Sequence, residues 1–176
     1  MLELHLIKAA QVLPFVKVLD DYGAPVRTYS KRVGLPTDAI YDATGVIGEY
    51  CAWRFIDLAA RYEKLDFFGY EVAKTYPINS VDGLGGLQMH SAPSLEILLR
   101  LFFEDAQSES TGCDYSLTPC TDGAWLVRKK MFGENHNNWQ LEQYMIAIFT
   151  QIIRLCAGPD WLPHSIKSCT SKTAHP

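Results

Sequence analysis

The stretch NNWQLEQYMIAIFTQIIRLCAGPDWLPHSI, residues 137–166, decides how the rest of the chain is read. From Asn137 to Cys156 it holds no Pro or Gly, and Leu141, Met145, Ile148, Phe149, Ile152 and Cys156 recur at helical spacing on one face. Gln140, Gln143, Gln151 and Arg154 fall on the other face. Gly158 offers the left-handed cap and Pro159 cannot continue a helix, so a long amphipathic helix over 137–156 ends abruptly. Asp160 to Ile166 then leads into Lys167-Ser168-Cys169, which is predicted to be a short strand. Tyr144, Ile146 and Ile153 widen the helix's apolar arc beyond what a one-sided surface helix requires. Such a helix is either buried on two sides by its own domain or shared with a second copy. A homodimer through Tyr144, Ile146 and Ile153 is the expectation, with burial inside the monomer as its rival.

Upstream, the pattern predicts mostly helices. Pro14 fits the first turn of a helix that begins near Leu13 and ends at Gly23, because the N–H it lacks is unused there. A second helix is predicted over Val26 to Val33, closed by Gly34 and Pro36, followed by a turn-rich passage to Gly45. A strong helix spans Gly48 to Lys64, with Cys51, Trp53, Phe55, Ile56, Leu58, Ala59 and Tyr62 apolar. Glu49, Arg54, Asp57, Arg61 and Lys64 are expected outside. Asp66 is the expected N-cap of a short helix carrying Phe67, Phe68, Tyr70 and Val72. Ser94 or Ser91 caps a Leu-rich helix running to Glu104, and a loop follows from Gln107 to Gly112. Strands Cys113–Leu117 and Ala124–Val127 flank Asp122-Gly123, a type I′ turn signal. Helices, hairpin, long helix and strand together predict an α+β fold, a single domain over residues 1–176 with helices packed on a small antiparallel sheet.

At 176 residues the chain fits one domain with a real core, and 48% hydrophobic against 20% charged residues is ordinary for a soluble globular protein. The net charge of -4 matches a phosphate backbone poorly, so this chain alone is expected not to bind DNA. Five cysteines, none in a Cys-x-x-Cys pair, point to neither a disulfide framework nor a metal site. Without a signal-peptide pattern or an apolar run of membrane-spanning length, the expected compartment is the cytoplasm, with no membrane partner.

A series of short segments carries a resemblance. In chain order they are Tyr22-Gly23, Gly34-Leu35-Pro36, Ala59-Ala60, Phe68-Gly69, Leu84-Gly85-Gly86, Ser91-Ala92-Pro93-Ser94-Leu95, and Gly158-Pro159-Asp160-Trp161 with Pro163. In that order the chain resembles the N-terminal effector-sensing domain of AraC-type transcription regulators, in the subgroup labelled "arabinose-binding". The resemblance implies a domain that binds a small organic effector, dimerises, and passes the change to DNA through a C-terminal module of two helix-turn-helix motifs. That module is absent from these residues, as are the family's Phe-Gly-x-Pro-Val-x-Phe segment and last strand. The chain therefore reads as part of a longer regulator, a naturally short relative being the alternative. The resemblance implies no enzyme activity and no cofactor.

Candidate chemistry is sparse. Cys51 and His90 would form a nucleophile–base pair only within hydrogen-bond reach, and nothing in their spacing brings them together. Asp82-Gly83-Leu84-Gly85-Gly86 lacks the Lys-Ser/Thr of a phosphate loop and reads as a tight turn. The aromatic residues either fill the core or line a cavity. On the second reading an effector cavity lies between the helix at 48–64, the helix at 94–104 and the hairpin. Its expected lining is Trp53, Tyr62, His90, Trp125 and Arg128, with Arg128 there to pair with an acidic effector. A structural or dimerisation module without a ligand is the other reading.

Overall fold

The first helix starts where Pro14 allows it. In the computed structural model, which describes residues 4–78, 92–129 and 139–168, α1 spans Leu13–Asp21 with Pro14 in its first turn, and Gly23 follows at φ +72°. Helix α2 covers Val26–Arg32 and is closed by Gly34, also at φ +72°. The passage read as turns holds a one-turn helix, α3 (Thr37–Tyr41), which plants Ile40 in the core. Two three-residue strands, β1 (Leu6–Lys8) and β2 (Val46–Gly48), pair antiparallel with Ile7 opposite Ile47. They are too short for an alternating pattern to show in the sequence. Residues far along the chain lock β1 from its other side: Ile7 bridges to Ser110, the Leu6 N–H donates to Thr111 Oγ1 at 2.8 Å, and Lys8 pairs with Glu109 at 2.7 Å.

Helix α4 (Glu49–Tyr62) follows β2 directly, and α5 spans Phe68–Thr75. Asp66 does not cap α5. Phe67 holds the cap position without a side-chain bond, and the Asp66 carbonyl accepts from Gln143 Nε2 at 2.9 Å. Helix α6 (Leu95–Glu109) is capped by Ser94, whose Oγ accepts from the Ile97 N–H at 3.3 Å. It runs past Glu104 through the stretch read as a loop, because Ala106 is buried and Glu109 is held by Lys8 and Gln11. Strands β3 (Tyr115–Cys120) and β4 (Gly123–Arg128) pair out to Cys120 and Gly123, so the loop is Thr121-Asp122, one residue earlier than expected. The fold is α+β as predicted, with two two-stranded antiparallel sheets among the described residues in place of one.

Helix α7 (Trp139–Ala157) is the long C-terminal helix, and Gly158 ends it at φ +92°. The following strand does not form within the described residues. Trp161 to Ser168 is not strand; Arg154 Nε donates to the Trp161 carbonyl at 2.9 Å and Lys167 lies over the Trp125 ring. The wide apolar arc of α7 is buried by the chain itself. Tyr144 (5% exposed) lies 4.9 Å from the Phe15 ring and Ile153 (8% exposed) is in the core, while Ile146 is half-buried. Neither Tyr144 nor Ile153 is available to a second copy, so of the two readings of this arc the monomer accounts for both residues.

The glutamines of α7 do not face solvent either. Gln140 and Gln143 are buried, and with Gln151 they bind orphaned backbone groups at both ends of α5. Gln140 Oε1 accepts the Gly69 N–H at 2.9 Å, whereas Gln151 accepts from the Ile78 N–H and donates to the Ala73 carbonyl. Gly69 lets the two helices approach this closely: a Cβ there would sit 1.9 Å from the Gln140 carbonyl oxygen. No helix among the described residues is long and apolar enough to cross a membrane.

Candidate binding site beneath the hairpin

The hairpin's alternation sorts its side chains. Tyr115 and Leu117 on β3 stand opposite Arg128 and Leu126 on β4 and share the face turned to the body, where Tyr115, Leu117 and Leu126 pack on the core. Trp125, opposite Thr118, belongs to the other face. Beneath the inward face, Tyr115 meets Phe103 (5.5 Å, stacked) and Phe149 (5.3 Å, edge-on), and Phe149 meets Phe102 at 5.2 Å. This aromatic wall ends in polar groups. The Cys113 thiol donates to the Tyr115 hydroxyl at 3.7 Å, which donates to Met145 Sδ at 3.9 Å. Arg128 forms an ion pair with Glu142 in the first turn of α7, their side chains only 14% and 22% exposed.

A buried carboxyl completes the cluster. Glu49, 1% exposed at the start of α4, accepts from Trp53 Nε1 at 3.2 Å and from Ser110 Oγ at 2.8 Å, and Ser110 Oγ accepts from the Gly112 N–H. Burial pushes the Glu49 carboxyl above its ordinary pKa, against the opposing pull of the Ser110 and Trp53 hydrogen bonds. Burial likewise raises the Cys113 thiol and takes the Tyr115 phenol well above its ordinary value. The charges of Glu49 and Arg128 both act on these two groups, which makes the cluster one electrostatic unit. A thiol held protonated is a poor nucleophile. Among the described residues no three His, Cys, Asp or Glu side chains gather as metal ligands would, and the described cysteines are free.

Of the five residues expected to line a cavity, Trp53 and Arg128 reach this cluster. Trp125 does not, because residues 125 and 128 on one strand point to opposite faces; its ring is covered by Lys167 at 4.6 Å. Tyr62 lies nine residues beyond Trp53, about 13 Å along the helix, and stacks on Tyr29 of α2. His90 and the glycine cluster at 82–86 lie outside the described residues. An open cleft of about 480 Å³ runs between Ala92–Leu95 and Leu155–Ala157, and none of the expected residues lines it. The sequence reading missed Glu49, Ser110, Cys113 and Tyr115. Glu49 did leave a signal: it falls on the stripe of Trp53, Ile56 and Ala60, where a carboxylate on a buried face calls for partners.

No protein-family model matches this chain, and no curated protein is significantly similar to it.

Proposed function

We propose that this chain is the effector-sensing domain of an AraC-type transcription regulator, with the cluster beneath the hairpin as its effector site. The observation that carries the reading is where the resembling segments fall. Gly23, Gly34 and Gly158 each end a helix at positive φ, Gly69 is the contact point of α5 and α7, and Ala59 and Ala60 are buried in α4. Five of the seven segments therefore lie at tight places of the fold, a pattern that fits a distant relative, while Leu84-Gly85-Gly86 lies outside the described residues. The site supplies what a small organic acid needs: an apolar, aromatic wall and a guanidinium whose carboxylate partner can be exchanged. The effector's carboxylate would displace Glu142 from Arg128. Releasing Glu142 changes how the hairpin sits on α7, and an effector that favours one of two such arrangements shifts their populations. No chemical step is involved, and sequence-specific DNA reading belongs to the helix-turn-helix module outside this chain.

A non-ligand structural module is the second reading, favoured by the fact that Glu49, Ser110, Arg128 and Glu142 already satisfy one another. A thermal-shift screen of small carboxylic acids, amino acids and sugars separates the two. An effector at 100 times its dissociation constant adds about 2.7 kcal/mol, which is about 5–10 °C for a domain of this size. The shift should shrink in Arg128→Lys. Silence across the acids, or a shift indifferent to Arg128, removes the effector site from beneath the hairpin.

A further inference from the structure

The net charge of -4 is a sum, and it hides a face of the opposite sign. On α4, Tyr50, Arg54 and Arg61 project within about 40° of one another at roughly 100° per residue. Helix α2 lies alongside, its Tyr29 ring stacked on Tyr62 at 5.6 Å. Two guanidiniums lie over exposed rings: Arg32 is 4.9 Å from the Tyr62 centroid, and Arg54 is 5.5 Å from that of Tyr50. Lys31 and Lys64 flank them, and all five cations are exposed. Among the described residues no carboxylate lies within salt-bridge distance of any of the five. Two carboxylates lie close to this face without ion-pairing to it: Glu63 accepts from the Tyr29 hydroxyl, which also feels the charge of Arg32, and Asp57, one turn before Arg61 and within reach of its charge, accepts from the Gln140 N–H. Lys64 also sits at φ +57°, a left-handed position that glycine occupies at less cost.

We infer that the outer face of α2 and α4 docks on the phosphate backbone of duplex nucleic acid, weakly and without reading its sequence. A guanidinium lying over a ring keeps its N–H edge free for the bidentate geometry phosphate oxygens offer. The cations are spread along two adjacent helices, which suits a repeating array of phosphates better than a single anion. A stable protein partner would instead want a dry apolar centre, and here the Tyr50 and Tyr62 rings are already covered by arginines. This revises the expectation drawn from net charge alone. It does not depend on the effector site, which lies beneath the hairpin.

The test is fluorescence anisotropy of a labelled random-sequence duplex with the purified chain, from low to physiological salt. Weak binding is expected at low salt, with log K falling against log salt at a slope of about −3 for three or four phosphates contacted. Arg32→Gln/Arg54→Gln/Arg61→Gln should bind at least about tenfold more weakly and with a shallower slope, with its fold checked by circular dichroism. Arg100→Gln/Lys129→Gln, on other elements, should bind like the unaltered chain. No binding at low salt, or equal binding by the triple variant, overturns the inference. Competition by poly-glutamate as effective as that by unlabelled duplex would assign the face to an acidic protein and overturn it too.

Discussion

Replacing Gly69 with alanine sets two effects of opposite sign against each other. In a solvent-facing helix the change gains about 1 kcal/mol, since glycine is the poorer helix former. In α5 the added Cβ would lie 1.9 Å from the Gln140 carbonyl oxygen and 2.8 Å from its carbon. Both are backbone atoms inside a helix, so no side chain can swing aside. The helices must separate by more than 1 Å to reach ordinary contact, and separation stretches the hydrogen bonds that Gln140, Gln143 and Gln151 make to the ends of α5. Overpacking costs about 1–3 kcal/mol, and each weakened buried hydrogen bond adds about 1 kcal/mol. With about two of these bonds weakened and the propensity gain subtracted, the net loss is about 2–4 kcal/mol, or a fall in Tm of about 5–15 °C. Urea melts and calorimetry of Gly69→Ala check it. A variant as stable as the original, or more so, would mean that propensity wins and that the close contact of α5 and α7 is not as described.

Burial pushes the Asp57 carboxyl up to about 7. A folded-state pKa above the unfolded value means stability is complete below pH about 4, declines to pH about 7 and is level beyond, at about 1.4 kcal/mol per unit. That caps the loss near 4 kcal/mol, and solvent at the part-exposed carboxyl and the positive end of α7 trim it. Asp57→Asn keeps an oxygen for the Gln140 N–H, so it should match the original at pH 4 and exceed it by about 1–2 kcal/mol at pH 8; a difference in urea melts that does not change with pH refutes this. Ile153→Glu should unfold the chain rather than dissociate it, because the new charge has no partner in the core; a folded monomer made from a dimeric original, by light scattering and circular dichroism, would restore the dimer reading of α7. Lys64→Gly should raise stability by about 1 kcal/mol in thermal melts by relieving its left-handed backbone, and no gain would mean the lysine is unstrained.

The parts of the fold legible in the sequence are those with long stripes and explicit stops. Helices α1, α4 and α7 carry periodic apolar sets closed by Gly23, the turn after Tyr62, and Gly158-Pro159. What was not legible follows from how small or how ambiguous the signals are. β1 and β2 are three residues each and pair with one another, and β1 is fastened on its other side by residues about a hundred positions away, so no local pattern announces them. Gln140, Gln143 and Gln151 look like a solvent face because polarity alone does not distinguish water from the open ends of a neighbouring helix. Of the residues expected to line a cavity, Trp53 and Arg128 sit at the cluster beneath the hairpin. Trp125 was misplaced although strand parity, countable in the sequence, separates it from Arg128. A carboxylate in a first turn usually faces solvent, so the sequence places Glu49 on the outer face of α4; in the fold its carboxylate is buried against Ser110, which no spacing rule connects to it.

The way β1 is held imposes a schedule on the newborn chain. Leu6, Ile7 and Lys8 leave the ribosome about a hundred residues ahead of the groups that fasten their second side, Glu109, Ser110 and Thr111. At about 5–20 residues per second this is an interval of roughly 5–20 s. Once residues 46–48 have followed, the first strand can pair with β2 but still has an open flank, within reach of neighbouring chains on the same message. An unpaired strand edge exposed for that long is a route to aggregation that the stability of the finished molecule does not close.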